Sequence, residues 1–195
     1  MKLLVIGAGG IGSHIVEYLC RCLGKDILDP RIEITVADSD IIELDQMKYQ
    51  NFKMEEVGLN KANALSDRFK DYGITPIKKR IEKESQLKGY DFIMLCVDNE
   101  KSRELVIKYC HKKDVEFIDL RATGRNIFAM PKEKQLSDNL KFVDSKDTKE
   151  YSCQDKRDLE KGWVQLGNEI IALWGCQMFL NHIRGYGNRI FSKVI

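Results

Sequence analysis

The chain has 195 residues, of which 32% are charged and 43% apolar, and its formal net charge at pH 7 is +2. This length suits one domain, so we predict a single unit over 1–195, with a core over 1–125 and an extension over 126–195. The scattered charges argue against nucleic-acid binding, and the interrupted apolar runs argue against a membrane span. No export signal is expected, and no cysteine pair has the spacing of a zinc site. Cys96 falls in a strand expected to be buried, which argues against a disulfide scaffold and favours a reducing cytoplasm.

The first part of the chain alternates between strand-like and helix-like segments. Short apolar or alternating runs predict strands at 3–6, 32–37, 75–81, 92–97 and 115–120. Helical periodicity predicts helices at 11–23, 60–69 and 100–113, the second capped by Asn60. This alternation predicts an α/β, Rossmann-like fold, in which a mainly parallel sheet carries helices on both faces.

The pattern is less regular after residue 120. Short strands are predicted at 126–130 and 140–143, and the charge-dense stretch 132–161 is expected to be largely surface loop. A final helix is predicted over 163–184. It is apolar enough to be widely buried or to form a subunit contact.

A glycine-rich turn lies between the first predicted strand and the first predicted helix. Gly7, Gly9 and Gly12 form a G-x-G-x-x-G motif, which also contains Gly10. Glycines let the backbone approach a ligand closely, and the helix N-terminus offers free amides to a phosphate. Asp38 ends the second strand, where a carboxylate accepts hydrogen bonds from ribose hydroxyls. The motif predicts nucleotide binding, and up to this point either ATP or NAD satisfies it.

Three further segments resemble the ThiF/MoeB-type, ubiquitin-activating-enzyme-like adenylyltransferases. They run over 38–50, from Asp38-Ser39-Asp40 to Gln50, over 57–62, and over 96–103, where an Asp-Asn pair precedes Arg103. The resemblance covers roughly residues 2–125. It implies activation of a C-terminal carboxylate, often of a ubiquitin-like protein, as an acyl-adenylate, with ATP and Mg²⁺ as cofactors and a homodimer as the assembly.

The same resemblance assigns roles to individual residues. Lys61 is expected to neutralise phosphate charge and Asp98 to hold Mg²⁺. Each also has a structural alternative, since Lys61 could simply be solvated and Asp98 could cap the following helix. The nucleotide-binding set implied by the motifs is Gly7, Gly9, Gly10, Gly12, Asp38, Asp40, Gln46, Lys48, Gln50, Lys61 and Asp98.

Two departures from the family pattern leave a second function open. Tyr49 stands where the family has arginine, and a phenol carries no permanent positive charge. A helix that precedes the first strand in many members is not seen before Met1. A catalytically weakened module that binds nucleotide or a peptide tail is therefore an alternative. An NAD-dependent oxidoreductase is disfavoured, because nothing resembles a hydride-transfer site.

Cys153 lies in the charged stretch, where the family's transfer cysteine can be found. Its thiolate is a candidate acceptor of the activated acyl group, if Lys156 or Arg157 lowers the thiol pKa. A surface cysteine without a role is the simpler alternative. The other five cysteines are interpreted as small core residues, and the three dispersed histidines do not indicate a metal site.

Overall fold

A seven-stranded sheet forms the centre of the protein, of which the computed structural model describes residues 1–123, 126–141, 143 and 156–194. Its strands lie in the order β3-β2-β1-β4-β5-β6-β7. The first five strands are parallel and the last two are antiparallel to their neighbours. The strands are β1 (Lys2–Ile6), β2 (Glu33–Ala37), β3 (Thr75–Ile77), β4 (Phe92–Leu95), β5 (Glu116–Thr123), β6 (Asn126–Pro131) and β7 (Phe191–Val194).

Helices cover both faces of this sheet, because strand side chains alternate in direction. Leu3 and Val5 of β1 belong to one apolar cluster, and Leu4 and Ile6 belong to a second one. The predicted Rossmann-like α/β fold is confirmed. The helices are α1 (Gly12–Gly24), α2 (Lys61–Arg68), α3 (Glu100–Lys113), α4 (Leu136–Leu140), α5 (Lys156–Glu160) and α6 (Gly167–Ile183).

The order in which the chain places its strands in the sheet reverses direction at β1. The chain continues from β1 to β2 and β3 on one side, and then crosses to β4 and β5 on the other. In open parallel sheets, a crevice for ligands forms beyond the carboxyl ends of the strands at such a reversal. This topology places the segments that follow β1, β2 and β4 around one space.

Several boundaries after residue 75 differ from the predictions. β3 and β4 end before the predicted positions 81 and 97, so Cys96 follows its strand and is half-buried. The predicted strand at 140–143 is wrong. Leu136 and Leu140 instead lie one helical turn apart in α4, and both pack against the second apolar cluster.

The C-terminal part also contains elements that its sequence pattern did not indicate. The helix predicted over 163–184 begins only at Gly167, and α5 precedes it as a separate short helix. β7 was not predicted, because four residues at an exposed sheet edge leave little apolar periodicity. No helix among the described residues has the length and apolar character needed to cross a bilayer.

Candidate functional site

A cavity of about 760 Å³ lies at the carboxyl ends of β1, β2 and β4. Its volume is within the range of roughly 300–1,000 Å³ that is typical of small-molecule sites. Four stretches of chain line the cavity. They are the glycine turn, the segment after β2 together with Lys61, the loop after β3, and the segment after β4. Among the predicted residues the lining includes Gly7, Gly9, Gly10, Asp38, Asp40, Gln46, Gln50, Lys61 and Asp98.

The glycine turn brings the backbone unusually close to its surroundings. Gly7 has a φ of +90°, and a Cβ there would lie 2.7 Å from the carbonyl oxygen of Cys96. Gly12 opens α1, where a Cβ would overlap the carbonyl of Gly7. Within the described residues, no hydrogen bond uses the amides of Gly9 and Gly10 as donors. The turn therefore presents free N–H groups at the positive end of α1.

Asp38 connects the glycine turn to the end of β2. Its carboxylate accepts from the amide of Ala8 at 2.6 Å and from the amide of Asp40 at 2.8 Å. Burial raises the pKa of Asp38, although these two hydrogen bonds and the charge of Lys61 oppose the rise. A carboxylate oxygen accepts more than one hydrogen bond, so Asp38 retains capacity for hydroxyl donors from a ligand.

Lys61 is the most informative side chain of the cavity. It begins α2, is only 4% exposed, and its amide donates to the carbonyl of Asp40 at 2.9 Å. Asn60 caps this helix as predicted, by accepting from the amide of Asn63 at 3.1 Å. No ion pair or hydrogen bond of the Lys61 ammonium group is formed within the described residues. The alternative of a solvated lysine is wrong, because this side chain is buried.

Asp98 lies on the opposite wall, after β4. The alternative in which it caps α3 is wrong, since Asn99 is the cap and accepts from the amide of Ser102 at 2.9 Å. Asp98 is exposed, and its carboxylate has no hydrogen bond among the described residues. It is therefore available to a ligand or a metal ion.

The segment after β2 places some of its predicted residues in the cavity and not others. A 3₁₀ helix over Leu44–Lys48 brings Gln46, Tyr49 and Gln50 to the wall, whereas Lys48 is exposed and is not part of the lining. The side-chain oxygens of Gln46 and Gln50 are buried and accept no hydrogen bond. Because these two oxygens are closed to solvent, a ligand would pair with them only after the side chains reorient.

Arg80 lines the cavity but was not predicted to belong to it. It follows β3 in the basic run 78–80, and its side chain is exposed. Because β3 ends at the same sheet edge as β2, the basic run after it was a usable signal. Arg80 and Lys61 are the two cationic side chains of the lining, beside the four carboxylates Asp38, Asp40, Glu43 and Asp98.

This excess of carboxylates bears on the predicted Mg²⁺ site. No group of three histidine, cysteine or acidic side chains in the described part of the chain is arranged to hold a metal ion. Mg²⁺ is commonly held by one or two carboxylates together with substrate phosphates and water, rather than by an all-protein cage. Asp98 fits that mode. Because the lining is acidic, it favours a nucleotide whose negative charge is partly neutralised before it binds.

A second charged group, the Arg103 cluster, contains ion-paired side chains, although one carboxylate oxygen of Glu100 is buried without a hydrogen bond. It consists of Arg103, Asp119, Glu100 and Arg121. Arg103 bonds Asp119 at 3.0 Å, Glu100 at 2.8 Å and the carbonyl of Val97. Burial opposes its charge, but the two carboxylates outweigh that effect and raise the pKa of Arg103. Arg121 bonds the second oxygen of Asp119 at 2.5 Å.

Cys153 lies outside the described residues, so its proposed role stays a prediction. The other five cysteines are free thiols. Cys20, Cys110 and Cys176 are buried as expected, and burial raises the pKa of Cys20 and of Cys110 to about 12. Cys22 and Cys96 are half-buried, which corrects the expectation that all five are core residues.

Comparison with known families accounts for this arrangement. A family model with the description "ThiF family" matches residues 1–194 of the chain. The chain belongs to the ThiF family. Among curated relatives of this ThiF-family protein, a tRNA threonylcarbamoyladenosine dehydratase of Haemophilus influenzae is 29% identical over 149 residues, covering 71% of the chain and 53% of the relative. A ubiquitin-like modifier-activating enzyme 5 of Dictyostelium discoideum is 30% identical over 130 residues, covering 56% of the chain and 32% of the relative.

Solved structures show the same fold. E. coli MccB superimposes with a TM-score of 0.71 at 18% identity, over 99% of this chain and 62% of MccB. E. coli TcdA, a tRNA N6-threonylcarbamoyladenosine dehydratase solved with AMP, gives a TM-score of 0.70 at 16% identity, over 94% of this chain and 86% of TcdA. The ThiF-family chain thus spans about half, or less, of the length of the curated relatives described above.

Proposed function

We propose that this ThiF-family protein binds ATP with Mg²⁺ and activates a carboxylate by forming an acyl-adenylate. One observation carries the proposal. Lys61 is buried at the cavity wall, and its ammonium group has no partner among the described residues. Removing a cation from water without pairing it is costly, so an anionic ligand supplies the missing interaction. Gly9 and Gly10 line the same cavity, and their amides donate no hydrogen bond within the described residues, which favours a phosphate as that anion.

In the proposed reaction, a carboxylate oxygen of the substrate attacks the α-phosphorus of ATP. A new C–O–P linkage forms, the bond to the β-phosphate oxygen breaks, and pyrophosphate leaves. Asp38 orients the nucleoside beside Gln46 and Gln50 of the cavity wall, while Lys61 stabilises phosphate charge. Mg²⁺, held at Asp98, would neutralise charge on the phosphate oxygens. The interactions with Lys61 and with Mg²⁺ would strengthen as negative charge develops on the departing pyrophosphate.

An ATP-pyrophosphate exchange assay tests this function. Exchange should depend on both Mg²⁺ and a carboxylate substrate, and Asp98→Ala should abolish it while leaving the fold intact. Asp91→Ala serves as a control, because Asp91 is an exposed carboxylate whose one hydrogen bond among the described residues is accepted from the amide of Lys2, near the other end of the sheet. Full exchange in Asp98→Ala would contradict the assignment of this residue.

The substrate we propose is a small protein or peptide with a C-terminal carboxylate. The modifier-activating enzyme among the relatives supports this class by its name, and the acidic cavity and low net charge argue against nucleic acid. The tRNA dehydratase among the relatives makes tRNA the necessary comparison. Exchange should be stimulated by members of a peptide-tail panel and not by tRNA. Stimulation by tRNA alone would replace this substrate class.

We further propose that Cys153 accepts the acyl group. Its sulfur would bond to the acyl carbon, the bond from that carbon to the phosphate oxygen would break, and AMP would leave while the thiol proton passes to solvent. A free-thiol state suits a reducing compartment, for which we propose the cytoplasm. A thiol-sensitive adduct should form only with ATP and substrate together. Unchanged turnover in Cys153→Ala would remove this step.

A homodimer is also proposed, with α6 at or near the contact. Its apolar residues surround the helix, and Ile170, Leu173 and Trp174 are 39%, 53% and 41% exposed. Such a face is typical of a subunit contact. Light scattering should give twice the mass of the chain, and Leu173→Glu should give the monomer, whereas Glu17→Ala should not.

One observation favours the alternative of a recognition module without turnover. Tyr49 lines the cavity where the family pattern has arginine, so the wall lacks one permanent charge. That function would give ATP binding without exchange across the whole panel. Restoration of exchange by Tyr49→Arg would identify the cause. Tighter binding of NAD than of ATP would overturn both readings.

A further inference from the structure

Asn168 contacts the glycine turn and is not among the described residues that line the cavity. It is the second residue of α6 and is only 2% exposed. A Cβ added to Gly10 would overlap the Asn168 carboxamide, so the side chain lies directly against the Gly10 backbone. Its Nδ2 donates to the carbonyl of Tyr49 at 3.2 Å. One side chain thus joins the turn, the segment after β2 and α6, although 119 residues separate the bonded pair.

The position of Asn168 is fixed by contacts further along α6. A Cβ on Gly175 would lie 2.5 Å from Cδ1 of Leu120 on β5, so helix and sheet are in close contact. The Cys176 thiol donates to the carbonyl of Ile15 in α1 at 3.9 Å. α6 therefore holds Asn168 as part of a rigid element rather than of a loop.

Only one of the two polar atoms of the Asn168 carboxamide, Nδ2, forms a hydrogen bond among the described residues. Its Oδ1 is buried and accepts no hydrogen bond, which is unfavourable for a buried polar atom. An apolar side chain would avoid that cost but could not donate to Tyr49. The donor function of Nδ2 therefore offers a reason for a polar residue at this site.

We propose that Asn168 is a positioning residue for nucleotide binding. It holds the Gly10 backbone and the Tyr49 carbonyl in the arrangement that presents the free amides of the turn to a phosphate. The inference rests on the proposed function, because it assigns to α6 the support of that same nucleotide site. It predicts that the ATP affinity of the folded protein depends on the Asn168 donor.

The test replaces the donor by a group whose donor capacity depends on pH. In Asn168→Asp an ionised carboxylate would face the Tyr49 carbonyl, and ATP affinity at neutral pH should fall by roughly 3- to 10-fold. As the pH is lowered, the introduced carboxyl becomes protonated and can donate again. The loss relative to the wild-type protein, measured by calorimetry with Mg²⁺ at each pH, should then shrink.

Asn181→Asp is the matched control, because Asn181 lies on the same helix and bonds Asn188 instead. It should show no pH-dependent deficit. Asn168→Ala provides a second variant, which should lose affinity equally at every pH. A purely structural role would lower the thermal midpoint of Asn168→Asp and Asn168→Ala but leave ATP affinity unchanged, and that outcome would overturn the inference. A wild-type protein that binds no ATP would instead overturn the proposed function, and with it this role.

Discussion

Two cations are buried to almost the same degree on either side of the β4 end, but their surroundings differ. Arg103 is 3% exposed and bonds Asp119, Glu100 and a backbone carbonyl. Lys61 is 4% exposed and lacks such a partner among the described residues. The members of the Arg103 cluster have ionic partners within the protein, whereas Lys61 forms no ion pair within the described part of the chain, and the nucleotide that we propose would supply one.

This difference predicts that substitutions around Arg103 change the stability of the fold, whereas substitutions at Lys61 change ligand binding. Breaking a satisfied buried ion pair leaves an uncompensated charge and costs several kcal/mol. The Lys61 ammonium group forms no hydrogen bond or ion pair among the described residues, although its charge opposes the rise in the pKa of Asp38. We therefore expect its removal to cost little stability and to appear mainly in ligand affinity. Three substitutions test this contrast, beginning with the largest expected effect.

Asp119→Ala should produce the largest loss of stability. It removes one partner of Arg103 and one ion-pair partner of Arg121, and Asp119 is fully buried. We expect the free energy of unfolding to fall by about 3–5 kcal/mol in urea denaturation. Asp29→Ala is the control, because its ion pair with Arg31 is exposed and should contribute little. Equal effects of the two substitutions would remove the basis for the comparison.

Asn60→Ala should have an intermediate effect, because it loosens the segment that positions Lys61. The substitution removes the α2 cap and the Nδ2 bonds to the carbonyls of Asp38 at 3.0 Å and of Asp40 at 3.1 Å. We expect a loss of about 1–2 kcal/mol in the free energy of unfolding. Asn63→Ala, one turn later, removes an amide whose oxygen is buried without a partner and should cost less. The reverse order would show that the cap does not hold this helix.

The smallest expected effect is the change of stability with pH that the Asp38 carboxyl group produces. Burial raises its pKa above the ordinary value of 3.8, so the folded state binds this proton more tightly than the unfolded chain does. The penalty for ionising the buried carboxyl is absent below pH 3.8 and is complete above the raised pKa. As the pH falls through this window, the wild-type protein should gain stability relative to Asp38→Asn. Parallel urea-denaturation profiles for the two proteins across the window would contradict the raised pKa.

Much of the fold and part of the cavity could be predicted from local patterns. The glycine motif, the Asn60 cap and the strand ends at Asp38 and Asp98 depend on neighbouring residues, and the structure brings them to one edge of the sheet. Arg80 was missed because its position depends on the ordering of β3 beside β2, which periodicity does not reveal. Asn168 was missed for a stronger reason, since its contacts join residues more than a hundred positions apart.

The prediction failed where short segments have ambiguous periodicity. The apolar residues near 140 suit a strand or a single helical turn, and packing against α3 selects the helix. The β7 strand exists because β6 offers it an antiparallel edge, a condition that its own four residues do not encode. Tertiary contacts therefore determine the secondary structure of the C-terminal part, whereas local sequence patterns determine that of the first part.

The most direct test is Lys61→Met, measured for both thermal unfolding and ATP binding in the presence of Mg²⁺. We expect a ligand-free protein at least as stable as the wild type, and an ATP affinity lower by about 10- to 150-fold, the effect of one charge-assisted hydrogen bond. Lys70→Met, at an exposed lysine beyond α2, should change neither quantity. A destabilised Lys61→Met protein that binds ATP as tightly as the wild type would contradict the claim that this lysine is held for a nucleotide.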